Sequence, residues 1–395
     1  MIQNTTNWAA VITLYLCGCT LALHIGKLPV ALPLLSDEFN LSLAQSGNLV
    51  AIYAVLIAWC GLPIGMVVAR FGYIAFSIVG ISLGMVGSFV AVFSSSVSIL
   101  LLTRLLEGLG WIMAVVALPV IMSRLSSAKD RPVVLGLWGS FMSVGTGSML
   151  LLAPMLQEIG GWRLAWAVSG VFSLLGTIAA IFVFNKQRAN LVDEARPPAV
   201  FVIKQDLYQR ETIAAVLCFM CYSFQYVAFT AFLPTVLIQE SGMSLSSASY
   251  WVALIIFTNG IGNVSAGWLI NFGLKRSHIL IGASLLSGFF AMLAFAIQDA
   301  TGSIVFALLT TSISGVIPGT LFSTAGLLAS SAAATGVVIG FMLSGAGIGQ
   351  TAGPLVLTRV VESTGQWYAG GLLCLLIAVA GAYFARGLKS VQLDN

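Results

Sequence analysis

Four ionisable side chains interrupt stretches of sequence that are otherwise apolar: His24 and Lys27 in the first such stretch, Arg104 and Glu107 in the fourth. A charge at the centre of a membrane helix costs about 2.5–3.5 kcal/mol on insertion scales, so it is kept where it meets a partner, a cavity or a transported ion. On a helix Arg104 and Glu107 share a face, with Trp111 one turn further on, while Thr20, His24 and Lys27 form a stripe on the first segment. Two cations against one carboxylate leave a net positive site. A guanidinium fork beside an ammonium suits a carboxylate or similar small anion, which makes Lys27, Arg104 and His24 candidate substrate-binding residues. Glu107 is the one carboxylate deep in any apolar stretch, and with Arg104 it is the candidate proton-coupling group. The structural alternative ties Arg104 to Glu107 and to backbone carbonyls as a permanent knot and lets Lys27 snorkel toward the periplasmic interface.

The remainder of the chain offers uncharged candidates. Tyr222, Gln225 and Tyr226 lie in the seventh apolar stretch, Asn259 and Asn263 one turn apart in the eighth, and Gln350 in the eleventh. Aromatic faces and amides orient a solute without holding it too tightly, and they also pack helices together. Tyr222, Gln225, Tyr226, Asn259 and Asn263 therefore stand as further substrate-binding candidates.

The elements that must position these groups follow from composition. The 395 residues are 59% hydrophobic and 8% charged, with a mean hydropathy of +1.02, where soluble domains carry roughly 25% charged residues. A membrane helix needs about 20 mainly apolar residues, and hydropathy with turn residues predicts twelve, near 8–35, 45–68, 74–95, 98–122, 133–157, 163–185, 211–237, 245–271, 278–297, 302–325, 335–358 and 366–386. The fold class is an all-α membrane protein. The N-terminus lacks the basic start of a secretory signal, and its apolar stretch reads as a retained first helix. Cytoplasmic loops retain Lys and Arg; with both termini inside, thirteen basic residues fall on the cytoplasmic side and only Arg163 and Arg359 opposite. The expected location is a bacterial-type inner membrane, with the net charge of +4 reflecting topology and no nucleic-acid partner. Counted back from the outer helix ends, Lys27 lies about eight residues deep, roughly 12 Å, and Arg104 about six, roughly 9 Å. The two cations thus sit at similar depth.

A polar stretch from Asn185 to Arg210, with Pro197-Pro198 and mixed charges, reads as a cytoplasmic linker, dividing the chain into 1–185, 186–210 and 211–395. The two sides resemble each other. Leu32-Pro33 recurs as Leu233-Pro234, Leu41-Ser42-Leu43 as Met243-Ser244-Leu245 and Phe71-Gly72 as Phe272-Gly273, at offsets of 201 or 202, with a looser echo of Gly161-Trp162 in Gln366-Trp367. Repeated six-helix bundles of this kind place a substrate site between them near the bilayer midplane.

The loop after the second segment reads Gly65-Met-Val-Val-Ala69-Arg70-Phe71-Gly72-Tyr73-Ile74, its counterpart Gly267-Trp-Leu-Ile-Asn271-Phe-Gly273-Leu-Lys275-Arg276, and the fourth segment carries Arg104-x-x-Glu107-Gly108-x-Gly110. On these motifs the whole chain resembles the major facilitator superfamily, whose loop reads roughly G-x-x-x-D-R-x-G-R-R and whose fourth helix carries R-x-x-x-G-x-G. Ala69 replaces the acidic position and Tyr73-Ile74 the basic pair, so the charge latch of relatives is at best partial. The resemblance marks Gly65, Arg70, Gly72, Gly267 and Gly273 as conformational-motif residues. It also implies a monomeric working unit whose first, fourth, seventh and tenth helices line the cavity. A fainter likeness, in the first two segments and Arg104-x-x-Glu107-Gly108, points to the branch of cyanate and nitroimidazole porters.

Histidine occurs only as His24 and His278, no carboxylates pair at catalytic spacing, and no phosphate-cradling loop is present. An enzyme, a cofactor and a metal centre are therefore not expected. Cys218-x-x-Cys221 lacks nearby His or Cys partners and reads as helix packing. The expected function is import of a small organic anion, carboxylate-like, by proton symport with alternating access. The alternative is proton-antiport export of drugs or other amphipathic compounds; the glycine-proline step that resembling exporters carry on the fifth helix is absent there, and Gly353-Pro354 lies on the eleventh.

Overall fold

The computed structural model describes residues 5–188, 191, 200–331, 334–389 and 391, and every regular element among them is helical. In chain order these are α1 (Trp8–Phe39), α2 (Leu43–Phe71), α3 (Tyr73–Val92), α4 (Val97–Arg124), α5 (Arg131–Gly139), α6 (Phe141–Lys186) and α7 (Val200–Tyr208). They continue as α8 (Arg210–Gln239), α9 (Leu245–Asn271), α10 (Arg276–Ala296), α11 (Ala300–Ser314), α12 (Val316–Leu328), α13 (Thr335–Thr364) and α14 (Trp367–Ala385). Local chemistry starts them where expected. Ser42 and Gln45 form a capping box at the head of α2, and Ser244, 202 residues later, accepts from the Ser247 amide at the head of α9. Gly72 (φ 108°) and Gly273 (φ 86°) make the turns after those two helices in a backbone region that other residues rarely enter.

Among the described residues eleven helical stretches are long and apolar enough to cross a membrane. One of them, Arg131–Lys186, runs for 56 residues, about 84 Å at the helical rise against a hydrocarbon core of about 30 Å. Gly160 (φ −148°, ψ 23°) and Gly161 (φ 65°, ψ −171°) break it, and division there brings the stretches to twelve. The break falls in the gap expected between 157 and 163. The helices at 133–157 and 302–325 carry further interruptions, at Ser140 and Gly315, which hydropathy did not show. The expected linker is partly helical: α7 occupies Val200–Tyr208, while Arg196 and Pro197-Pro198 lie outside the described residues. Large side chains such as Trp59, Phe93, Phe182 and Phe272 face outward, a surface compatible with lipid and not with water.

The repeat seen in sequence reappears as repeated contacts. Trp162 Nε1 donates to Glu38 Oε2 at 2.7 Å, and Trp367 Nε1 donates to Gln239 Oε1 at 3.0 Å, with Glu38 and Gln239 201 residues apart. The chain before α1 is tied to the α4–α5 turn through Thr6 Oγ1 and Asp130 Oδ2 (2.6 Å), and α7 to the α12–α13 turn through Asp206 Oδ2 and Ser330 Oγ (2.8 Å).

Helices from before and after the linker meet through small residues. Lipid tails are as apolar as leucine, so helices associate by close packing and interhelical hydrogen bonds. On α2 and α13, Gly61 and Gly65 face Gly340 and Gly336 backbone to backbone, and the Leu62 amide donates to Ser344 Oγ at 3.0 Å. On α5 and α9, Gly136 and Gly139 face Asn263 and Gly267. A Cβ at Gly340 would collide with the Gly61 carbonyl oxygen, whereas one at Gly282 meets nothing. Gly340→Ala should therefore lower the melting temperature of the purified protein, as overpacking by about 1–3 kcal/mol does. Gly282→Ala should leave it unchanged or raise it; equal effects from the two would remove the packing argument.

Candidate functional site

The site is assembled from α1, α2, α3, α4 and α6, with α3 supplying the room. A Cβ at Gly84 would press on His24 Nε2, and one at Gly87 would press on Glu107 Cγ. These two glycines of α3 thus leave the volume that an imidazole and a carboxylate fill. Gly145 of α6 lies against the Cys19 carbonyl of α1, and Gly26 of α1 lies against the backbone of Thr146. That approach brings Ser173 and Trp166 of α6 to the ionic residues.

Lys27 Nζ lies 2.6 Å from Glu107 Oε1, 2.6 Å from Ser88 Oγ and 3.0 Å from His24 Nδ1. Ser88 Oγ donates to Glu107 Oε1 at 2.7 Å, and His24 Nε2 meets Ser173 Oγ at 2.8 Å. On the other carboxylate oxygen, Arg104 Nη1 donates to Glu107 Oε2 at 2.6 Å and to the His24 carbonyl at 2.8 Å. Two aromatic faces complete the shell: Lys27 Nζ stands 4.6 Å from the Trp166 ring centroid and Arg104 Cζ 4.4 Å from that of Tyr53. His24, Lys27 and Glu107 are 0% exposed and Arg104 is 2% exposed.

The structure brings together the four ionisable residues singled out in the sequence, and the snorkelling alternative for Lys27 is overturned, because its buried ammonium points inward at a carboxylate. An ammonium has three donors, and Glu107, Ser88 and His24 take all three. Arg104 is different. Its Nε is buried without a partner, as are Tyr53 Oη, Trp111 Nε1 and Trp166 Nε1. Unspent donors thus remain on Arg104 itself and on the two aromatic residues that face the cations, Tyr53 and Trp166.

Ser88, Ser173, Tyr53 and Trp166 were not anticipated. Ser88 follows a Gly84-x-x-Gly87 pair on an apolar stretch, and that small-residue step was the available signal. The neutral candidates lie elsewhere. Tyr222 and Tyr226 stack at 5.6 Å, and Asn259 Nδ2 donates to Tyr222 Oη (3.2 Å) and to the Thr311 carbonyl (3.2 Å). Asn263 Nδ2 donates to Asn259 Oδ1 at 3.0 Å, and Gln225 Nε2 to Ser287 Oγ at 3.5 Å. None of these hydrogen bonds reaches Lys27 or Arg104. Ser143 of α6 joins this network by donating to Asn259 Oδ1 at 2.7 Å.

Of the motif residues, Gly65 and Gly267 lie in the small-residue contacts described above, and Gly72 and Gly273 form the turns. Arg70 is exposed over the ring of Phe71. Tyr73, at the position where the motif carries a basic residue, accepts from the Gly336 amide of α13 at 3.2 Å, and Asn271 Nδ2 donates to the Lys129 carbonyl at 3.2 Å. Neutral side chains thus make both of these contacts.

Removing one member of a buried ion pair leaves an uncompensated charge and costs about 3–5 kcal/mol. Glu107→Gln should produce a loss of that size in chemical unfolding of the micelle-solubilised protein. Ser173→Ala should cost about 1 kcal/mol, the ordinary worth of a hydrogen bond. Lys27→Met added to Glu107→Gln should recover part of the larger loss; no recovery would mean that the ammonium is not what the carboxylate supports.

Residues 14–354 match the family model described as Major Facilitator Superfamily. The chain is similar to the nitrite extrusion protein of Bacillus subtilis (strain 168), 24% identical over 349 residues, 87% of this chain and 85% of that one. It is also similar to the quinolone resistance protein NorB of Staphylococcus aureus (strain JH9), 26% identical over 172 residues, 43% of this chain and 36% of that one. Among solved structures it resembles FucP of E. coli in the outward conformation, with a TM-score of 0.75 at 16% identity, over 95% of this chain and 97% of that one. A family model that spans most of the chain, matched by the helical architecture, leads to one conclusion: this is a membrane transporter and not an enzyme, and it belongs to the Major Facilitator Superfamily.

Proposed function

We propose that the protein imports a small organic anion, carboxylate-like, by proton symport, as two six-helix bundles (1–185 and 211–395) rock about a central site in a bacterial-type inner membrane with both termini cytoplasmic. The observation that carries this reading is the buried trio of Lys27, Glu107 and Arg104, two cations on one carboxylate, with unspent donors beside Arg104. An anion entering there accepts from Arg104, with Tyr53 Oη as a neighbouring donor, and competes with Glu107 for the guanidinium. A carboxylate displaced from its cation is the natural acceptor for the coupled proton. Lys27, whose donors are filled by protein groups, holds Glu107 and His24 in place. Tyr222, Gln225, Tyr226, Asn259 and Asn263 shape the opposite wall. The repeated tryptophan and turn contacts support the two-bundle division.

The name of the nitrite extrusion relative concerns a small anion, which fits a positive site; direction of flux is this proposal's own. Export of amphipathic drugs is the rival, and the partial likeness to a quinolone resistance protein favours it. The net positive trio opposes cationic drugs.

Binding is measured on the purified protein by thermal shift against mono- and dicarboxylates, nitrite, and cationic drugs. One anion class should stabilise it. Arg104→Lys keeps the charge but loses the planar fork and should weaken that anion at least about tenfold, the worth of roughly 1.4 kcal/mol. Tyr53→Phe should weaken it less, and neither should prevent membrane insertion. Stabilisation by cationic amphiphiles alone would put the exporter in first place.

A further inference from the structure

A continuous line of contacts joins the buried ionic cluster to a half-exposed ion pair at the end of α1. Glu38 takes Arg163 in a fork, Nη1 donating to Oε2 at 2.9 Å and Nη2 to Oε1 at 2.6 Å, and Oε2 also accepts from Trp162 Nε1. Arg163 reaches a third helix through Nε, which donates to the Val92 carbonyl at 3.1 Å, and its Cζ lies 4.4 Å from the Trp162 ring centroid. Trp162 meets Trp166 edge to face at 5.2 Å, and Lys27 Nζ lies over the Trp166 ring. Helix spacing sets these links. Trp166 is one turn after Trp162, and Val92 is one turn after Ser88, the hydroxyl that accepts from Lys27. One arginine therefore fastens together α1, α3 and α6, the helices that carry His24, Lys27, Ser88 and Ser173.

Packing alone does not call for a charged pair here. In the repeat, Trp367 makes the same kind of contact, donating to Gln239, and packs against Phe232 and Phe295. The acceptor there is neutral, and Tyr368 follows Trp367 where Arg163 follows Trp162. Of the two copies, the charged one belongs to the helices that hold the ionic cluster. A half-exposed ion pair adds little to stability, whereas a guanidinium fork on a carboxylate fixes geometry. Orientation is what this part of α6 lacks. Gly160 and Gly161 break the helix just before Trp162, so the preceding turns do not set the direction of the segment that carries Trp166 and Ser173. An indole face attracts a cation only while it stays against it, and rotation of that segment would carry the ring off Lys27.

We propose that Glu38 and Arg163 are positioning residues for the ionic cluster: through Trp162 they hold Trp166 against Lys27 and so keep the ammonium on Glu107. Every contact in the line belongs to helices from before the linker, which makes it a brace within one set of helices and not a gate between two. Its consequence for transport rests on the reading of Lys27, Arg104 and Glu107 as the solute site. The brace itself is measured without solute, so its failure and the failure of that reading are distinguishable.

The test is a mutant cycle in chemical unfolding of the full chain in micelles. Glu38 lies eleven residues from Lys27, about 16 Å along α1, and independent sites more than about 10 Å apart add to within roughly twofold in the unfolding constant. Glu38→Gln removes the charge and keeps an acceptor for Trp162, as Gln239 does for Trp367. Its effect should be at least about fivefold smaller when Lys27→Met and Glu107→Gln are also present. Gln239→Ala should be additive with the same two substitutions. A spectroscopic arm leaves the cluster intact: Trp166 emission, taken as the difference between each chain and its Trp166→Phe counterpart, should shift in Glu38→Gln and Arg163→Gln and hold in Gln239→Ala. A merely local structural pair would move neither readout. Additivity within twofold for Glu38→Gln overturns the proposal, as does Trp166 emission unchanged in both Glu38→Gln and Arg163→Gln, or an equal response to Gln239→Ala. If the cluster variants do not fold, the emission arm decides alone.

Discussion

The packing of α1, α3, α4 and α6 depends on one buried carboxylate that holds two cations. Taking such charges out of water costs several kcal/mol per ion even after relaxation, and that cost is offset only through the opposite charges and hydrogen bonds each ion finds. Glu107 Oε1 takes Lys27 and Ser88, and Oε2 takes Arg104. That requirement dictates the neighbours. Gly84 and Gly87 must lack side chains for the imidazole and the carboxylate to fit, Ser88 must be small and polar, and α1 must approach α6 closely enough for Ser173 to reach His24. A single ionic need is thereby converted into the packing of four helices.

Away from that cluster the chain solves the same problem with neutral groups. Asn259 and Asn263 bond to each other, to Ser143, Tyr222 and the Thr311 carbonyl, and the glycines opposite them let backbones touch. A neutral amide network carries no Born cost and tolerates small shifts in distance. A charged trio does not. The ionic member therefore lies within helices from before the linker, whereas the contacts that join α2 to α13 and α5 to α9 are glycine backbones and hydrogen bonds between neutral groups.

Most of the architecture was legible because lipid imposes a length rule on every crossing, and the turn glycines, the serine caps and the repeat offsets are local signals. The ionic residues were legible for the same reason: a charge in an apolar stretch demands explanation. Partners across helices were not. Ser88 and Tyr53 look like ordinary members of their segments, and only the approach of α3 and α2 to α4 gives them a role. The interruptions at Ser140 and Gly315 and the helix at Val200–Tyr208 were missed because none of them changes hydropathy. Tyr73 was read as a lost basic residue, and its replacement contact with Gly336 depends on where α13 begins.

The charge count of the cluster explains why a carboxylate accompanies two cations at all. On the reading proposed above, two bare cations would bind an anion tightly but leave the empty carrier with uncompensated buried charge, unable to close without its solute. Glu107 stands in for the solute by holding both cations, and all four ionisable groups are shut away from water. An entering anion takes over part of that role and frees the carboxylate to accept a proton. The empty and loaded forms then both carry nearly balanced clusters, and both can pass through the occluded state that alternating access requires. A site without Glu107 would bind without cycling.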